Sequence, residues 1–159
     1  KAISQNTRRM CKAKALKGQK MNRYEELIEK ALDARKKAYA PYSHFRVGAA
    51  LLGKNDMIYQ GCNIENASYP ATNCAERTAF YTAIMDGQKE FQAIAIVGGM
   101  ENAQELEYCA PCGICRQVMR EFCNPDTFEI IVARNAKDYK VFTLAELLPM
   151  SFGPENLGR

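Results

Sequence analysis

Cys74-Ala75-Glu76 and, after 34 intervening residues, Pro111-Cys112-Gly113-Ile114-Cys115 are the two stretches on which the reading of the fold turns. Each opens a segment of helical periodicity. Asp86-Gly87 closes the first, while Pro111 stands where a first helical residue is expected and Gln117, Val118, Met119 and Phe122 continue the second. Cys112 and Cys115, at i and i+3, present their sulfurs to one side of a helix start. The unpaired N–H groups and positive dipole end at such a start favour thiolate over thiol, whose free pKa is about 8.5. Cys74 opens its own helix and meets the same field. Three thiolates can hold a zinc ion and leave its fourth tetrahedral position to water. Glu76, two residues from Cys74, is then placed to carry protons at that water.

Working outward, Tyr24, Leu27, Ile28, Ala31, Leu32 and Ala38 recur at helical spacing, which predicts an amphipathic helix over 22–39 stopped by Pro41. Pro41-Tyr42-Ser43-His44 reads as a turn. Phe45–Leu52 and Met57–Ile64 are apolar-rich runs around Gly53-Lys54-Asn55-Asp56, a hairpin signal. A polar loop over Asn66–Asn73 leads into a helix from about Cys74 to Met85. Phe91–Val97 predicts a buried strand ending in Gly98-Gly99, Phe128–Ala133 another, and Tyr139–Phe142 a short fifth. Thr143 caps a last short helix ending at Leu148. The order α-β-β-α-β-α-β-β-α predicts an α/β fold, a three-layer α/β/α arrangement around a mixed, roughly five-stranded sheet.

At 159 residues and 47% hydrophobic composition the chain has the size and apolar content of one domain with its own core. No apolar run approaches the ~20 residues of a membrane span, and no apolar stretch marks a secretory signal. Seven cysteines, an odd number, do not read as a disulfide framework, so a reducing cytoplasm with free thiols is expected. The net charge of +4 is unevenly spread: residues 1–20 carry seven Lys or Arg and no acid. That leaves 15 basic against 18 acidic residues over 21–159, a net −3. A mildly acidic domain is a poor electrostatic footprint for nucleic acid. Residues 1–20 are read as a basic appendage, disordered or artificial in origin, with Met21 as the start of the domain over 21–159.

Several readings of the cysteines compete. They are core thiols, a Cys-x-x-Cys redox dithiol, an iron–sulfur run through Cys109, Cys112 and Cys115, or zinc ligands. A redox dithiol has no need of the upstream Cys-x-Glu, and the iron–sulfur run lacks its fourth cysteine, because position 119 is Met119. A closed structural zinc site with Cys109, Cys62 or Cys123 as fourth ligand stays open. His44, the only histidine, lies in a turn away from these motifs and is read as a surface residue.

Four further blocks stand in order: Phe45-Arg46-Val47-Gly48-Ala49-Ala50-Leu51-Leu52, Gly61-Cys62-Asn63-Ile64-Glu65-Asn66, Asn73-Cys74-Ala75-Glu76-Arg77-Thr78 and Pro111-Cys112-Gly113-Ile114-Cys115-Arg116-Gln117-Val118. With Leu147-Leu148-Pro149 and Phe152 they make the chain resemble the small homotetrameric zinc-dependent cytidine deaminases over essentially all of 22–153. The resemblance implies a cytidine-deaminase-like fold and one Zn²⁺ per subunit held by Cys74, Cys112 and Cys115. It also implies hydrolytic deamination of cytidine and 2′-deoxycytidine, a step of pyrimidine salvage that releases ammonia, with zinc-generated hydroxide attacking C4 and Glu76 as proton shuttle. Three thiolates and a hydroxide on Zn²⁺ sum to −2, and Arg77 resembles the arginine that donates to ligand sulfurs in all-cysteine members.

The same resemblance assigns Phe45 to stacking on the pyrimidine and Asn63 and Glu65 to ribose hydroxyls. Two apart on a strand, Asn63 and Glu65 would share a face. The resemblance further assigns backbone groups of Ala75 and Cys112 to the base, and Tyr69 and Phe152 to sites shared between subunits of a homotetramer. The expected partners are a small nucleoside and other copies of the chain, with neither nucleic acid nor membrane. Rival readings are a relative acting on another aminopyrimidine, such as a blasticidin-type nucleoside antibiotic, a nucleic-acid editor, and a zinc-stabilised interaction module using residues 1–20 as an arm. Phe45, Asn63 and Glu65 favour the nucleoside. The acidic domain and the cysteine first ligand weigh against the editor.

Overall fold

The computed structural model describes residues 23–158, so the basic stretch 1–20 and its reading as an appendage lie outside the described residues. Helix α1 occupies 23–35. It is followed by strands β1 (Phe45–Gly53) and β2 (Ile58–Cys62), helix α2 (Ala75–Met85), strand β3 (Phe91–Met100) and helix α3 (Gly113–Phe122). Strands β4 (Glu129–Asn135) and β5 (Asp138–Thr143) and the short helix α4 (Leu144–Leu147) complete the order. The five strands form one sheet in the order β2-β1-β3-β4-β5. Only β3 and β4 run parallel, joined by the crossover through α3, and the other three pairs are antiparallel. This is the mixed five-stranded α/β fold that the element order predicts.

Strand alternation splits the core in two. Ala49, Leu51, Ile94, Ile96, Ile130 and Val132 face α2, α3 and α4 together with Ala79, Phe80, Cys115, Met119 and Leu144. Their strand neighbours Ala50, Leu52, Ala93, Ala95, Val97, Ile131 and Ala133 face α1 through Tyr24, Leu27, Ile28 and Ala31. The α1 face is rich in alanine, which brings that helix close to the sheet. Two glycines complete the approach. A Cβ on Gly48 would lie 2.0 Å from the Ala31 carbonyl oxygen of α1, and one on Gly61 would lie 2.2 Å from the Ala75 carbonyl oxygen of α2. Arg35 then locks α1 down, its guanidinium donating to the carbonyls of Arg46, Gly99 and Met100.

Several boundaries differ from expectation, each for a local reason. Helix α1 stops at residue 35, not 39. Ala40 precedes Pro41 and is biased away from helical geometry, and Tyr39 instead bridges to Ile64, donating to the Asn63 carbonyl at 3.0 Å. Strand β2 ends at Cys62, two residues short of Ile64. There the Asn63 side-chain amide replaces a backbone pair, its Oδ1 accepting from Val47 N at 2.8 Å and its Nδ2 donating to Phe45 O at 2.8 Å. Strand β3 runs on through Gly98-Gly99 to Met100, because both glycines still pair with β1. Helix α3 begins at Gly113, so Pro111 precedes the cap and is not the first helical residue. Thr143 caps α4 as expected, forming a capping box with Glu146.

Because Gly61 sets the seat of α2, Gly61→Ala must push helix or strand aside. Thermal unfolding is expected to register a loss of about 1–3 kcal/mol, whereas Gly113→Ala, whose Cβ would meet nothing within 4 Å, changes stability little. An unchanged melting temperature in Gly61→Ala would refute this account of the packing.

Candidate active site

Cys74 and Cys112 are the N-cap residues of α2 and α3, with extended backbone at ψ 156° and 167°, and neither side chain caps its helix. At a position where Ser, Thr, Asp or Asn is favoured, each chain forgoes the capping bond and keeps a sulfur for another partner. The two helix starts converge. Cys74 Sγ lies 3.9 Å from Cys112 Sγ, Cys112 Sγ lies 3.4 Å from Cys115 Sγ, and the three sulfurs fall within 4.8 Å of one another. Tetrahedral zinc with Zn–S bonds of about 2.3 Å requires sulfurs about 3.8 Å apart. The trio is already at that spacing.

The electrostatics fit the same group. Hydrogen bonds from the Cys115 thiol, and then from Arg77 and Cys112, hold the Cys74 thiol down to about 5. The Cys115 thiol is correspondingly pushed up by donating to Cys74 and by burial. Arg77 Nη2 donates to the Thr72 carbonyl at 3.1 Å and to Cys74 Sγ at 3.6 Å, while its Nε is buried without a hydrogen-bond partner. A guanidinium with a donor to spare beside a sulfur cluster suits the excess negative charge of three thiolates. Among the described residues this is the one group of three or more His, Cys, Asp or Glu close enough to hold a metal ion.

Glu76 sits in the first turn of α2 with only 4% of its surface exposed. Burial raises its carboxyl to about 7, against the lowering effect of its own backbone N–H. Cys109 is the neighbour that the motif reading did not place. Its sulfur and the Phe45 ring both lie over Gly98, where a Cβ would come within 2.7 Å of Cys109 Sγ and 3.2 Å of Phe45 Cε1. Phe45, Gly98, Met100, Tyr108 and Cys109 line a cavity of about 340 Å³. Burial first, and then the charges of Glu76 and Cys74, push the Cys109 thiol up to about 11. Cys109 thus remains a thiol at neutral pH, and neither it nor Cys62 nor Cys123 belongs to the sulfur trio.

The remaining residues occupy three surroundings. Asn63 and Glu65 lie beyond the end of β2, yet both serve the segment that carries Phe45. Asn63 bonds the Phe45 carbonyl, and Glu65 accepts from Tyr42 N at 2.9 Å, Ser43 N at 3.2 Å and the Ser43 hydroxyl, whose oxygen in turn accepts from Phe45 N at 3.0 Å. Tyr69 is exposed, packs edge-on against Tyr42, and lines a pocket of about 410 Å³ with Tyr42, Ser43, Glu65 and Thr72. Ala75 is fully buried at the first position of α2. Phe152 is exposed in the C-terminal segment beside α3, where its carbonyl accepts from Gln117 Nε2 at 3.1 Å. His44 is a surface residue as expected, in left-handed backbone (φ 55°) beside Glu101. Thr78 escaped the reading although it stands one helical turn after Cys74. Its Oγ1 lies 3.2 Å from the Cys74 carbonyl and 3.1 Å from the Cys62 carbonyl, tying the ligand-bearing turn to β2.

A mixed sheet that gathers three thiols and a buried carboxyl at two helix starts defines a metal-dependent hydrolase of the α/β/α class. Residues 21–130 match the family model described as the cytidine and deoxycytidylate deaminase zinc-binding region. The chain is 47% identical over 133 residues to the cytidine deaminase of Sporosarcina psychrophila, covering 84% of this chain and 93% of the relative. It is likewise 47% identical over 131 residues to that of Halalkalibacterium halodurans, covering 82% and 95%. It also superimposes on the crystal structure of cytidine deaminase from Burkholderia pseudomallei with a TM-score of 0.72 and 48% identity, over 80% of this chain and 97% of that one. The chain belongs to the zinc-dependent cytidine deaminase family.

If Arg77 holds the sulfur cluster, Arg77→Ala is expected to release zinc to a colorimetric chelator about tenfold faster or more. An unchanged release rate in a folded variant would remove Arg77 from this role.

Proposed function

We propose that the chain hydrolyses cytidine and 2′-deoxycytidine to uridine and 2′-deoxyuridine with release of ammonia, as a step of pyrimidine salvage. The observation that carries this reading is the buried carboxyl of Glu76 at the same helix start as the Cys74 sulfur. Cys74, Cys112 and Cys115 would hold zinc, whose contribution would be an activated water with its pKa lowered from about 15.7 towards about 7. Glu76 takes the proton from that water and delivers it to N3 of the pyrimidine as oxygen adds to C4. It then moves the second proton to the exocyclic nitrogen, which leaves as ammonia, so one water is consumed per nucleoside. A carboxyl near 7 suits both halves of that transfer. Arg77 offsets the negative charge of the sulfurs.

Phe45 offers its ring face to the base at the mouth of the cavity. Asn63 and Glu65 hold the Phe45 segment, and each retains acceptor or donor capacity for a ribose hydroxyl; the Ala75 and Cys112 backbone groups, at the two helix starts, are assigned to the base. Tyr69 and Phe152 are 71% and 59% exposed. That exposure supports a homotetramer in which they complete neighbouring sites. All six described cysteines are free, which supports work in a reducing cytoplasm. Among the described residues no helix is long and apolar enough to cross a membrane.

The test is turnover of cytidine, 2′-deoxycytidine, cytosine and a cytosine-containing oligonucleotide by the zinc-loaded protein, followed as ammonia release. Activity on both nucleosides and none on the oligonucleotide is expected, and zinc-loaded protein inert on both nucleosides would end the proposal. Glu76→Gln is expected to keep its zinc while kcat falls by about 10²–10⁴-fold or more; retained turnover would assign the proton transfers to another group. Sedimentation is expected to give a mass four times that of the chain, and a monomer with full activity would dismiss the shared sites.

A further inference from the structure

Arg120 is one of the few charged residues that the fold buries. Only 7% of its surface is exposed, and it stands on α3, two turns after Cys112. A buried guanidinium requires partners, and those of Arg120 come from the C-terminal segment. Its Nε donates to Ser151 Oγ at 2.9 Å, and its Nη2 pairs with the Glu155 carboxylate. Between these contacts the backbone of Gly153 lies against the guanidinium, so closely that a Cβ there would fall 2.3 Å from Arg120 Cζ. Gly153 is extended (φ −146°, ψ −179°), so what the position demands is the missing side chain. Gln117 adds a bond to the Phe152 carbonyl, and Arg116 Nη1 bonds the Leu147 carbonyl. The outer face of the helix that carries Cys112 and Cys115 is thereby a clamp for residues 147–155. The Phe152 ring, 59% exposed, is the one part of the clamped stretch 151–153 that projects freely.

We propose that Arg120 is a positioning residue for Phe152: by clamping Ser151, Gly153 and Glu155 to α3 it fixes the direction in which the Phe152 ring is presented to a neighbouring subunit's substrate. The proposal rests on the reading of Phe152 as part of a shared site. The clamp shares α3 with two of the three sulfur ligands, Cys112 at its N-cap and Cys115 in its first turn, so the ring offered outward is referenced to the same element that helps hold this subunit's metal. An aromatic on a loose tail would lose rotational and chain entropy on each encounter with substrate, and a fixed one does not.

A mutant cycle on the zinc-loaded full chain tests this. Phe152→Ala is expected to lower kcat/KM for cytidine about tenfold, the scale of one aromatic contact. Arg120→Met, which keeps the aliphatic stem, is expected to raise KM by a similar factor with kcat within about threefold. The double variant Arg120→Met/Phe152→Ala is expected to be no worse than Phe152→Ala alone, because the clamp acts only through the ring. Glu155→Gln and Gly153→Ala, which disturb the clamp from the tail side, should shift KM in the same direction and speed amide exchange over 151–155 while leaving zinc content unchanged. A merely structural Arg120 would give losses that add in full to those of Phe152→Ala. That result, or an unchanged KM in both tail-side variants, overturns the clamp while leaving the shared-site reading intact. A silent Phe152→Ala fells the shared-site reading and the role of Arg120 with it.

Discussion

Three sulfurs within 4.8 Å of one another are an electrostatic problem before they are a metal site, and much of the structure is arranged around it. As thiolates they repel, and in a partly buried setting that repulsion is poorly screened. Helix starts are among the few backbone features that attract negative charge without introducing a formal positive one. Two of them, those of α2 and α3, are aimed at the same point. Cys74 and Cys112 occupy the cap positions themselves, so no Ser, Thr or Asp side chain stands between the dipoles and the sulfurs. Arg77, one residue after Glu76 and three after Cys74, adds a full positive charge beside the Cys74 sulfur.

Bringing two helix starts together depends on how closely each helix lies against the sheet. Helix α2 is seated through Gly61, and the Thr78 hydroxyl lies within hydrogen-bonding reach of both the Cys62 and Cys74 carbonyls, which ties the first turn of α2 to β2. Helix α3 is placed by the β3–α3–β4 crossover between the only parallel strand pair, and open α/β sheets gather ligands at the carboxyl ends of such strands. On the opposite face α1 rests on alanines and Gly48, with Arg35 tying it to the ends of β1 and β3. The Phe45 cavity lies at that same end of β1 and β3, so the packing of α1 reaches the site through Arg35.

Local patterns made much of this legible. The i, i+3 pair Cys112 and Cys115 shares a side, the apolar runs of β1, β3 and β4 read as buried strands, and Thr143 reads as the cap of the last helix. What escaped depended on side chains standing in for backbone. Asn63 reads as a strand residue, but its amide continues the ladder with Val47 and Phe45 after the strand has ended. Tyr39 reads as helical by spacing, but Ala40-Pro41 and the bridge to Ile64 take it elsewhere. Arg120 is an ordinary helical arginine in sequence, and nothing local announces that a segment some 30 residues later will bury it. Cys109 fits an iron–sulfur spacing on paper, whereas in space it packs on Gly98 beside Phe45.

Asn63 and Glu65 show why structural and substrate-facing readings of one residue need not compete. Both hold the backbone around Phe45, Asn63 from the carbonyl side and Glu65 through Tyr42 and Ser43. Each still has capacity beyond those bonds: a second amide hydrogen and lone pair on Asn63, and further lone pairs on the Glu65 carboxylate. The Glu65 carboxyl is held below the usual range, first by the Ser43 hydroxyl, so it stays an acceptor well below neutral pH. A group whose geometry is already fixed by backbone partners gives up little freedom when a sugar hydroxyl arrives, and the ring it positions is the one assigned to the base. The two segments, Tyr42–Phe45 and Asn63–Glu65, are thus held together before any ligand arrives.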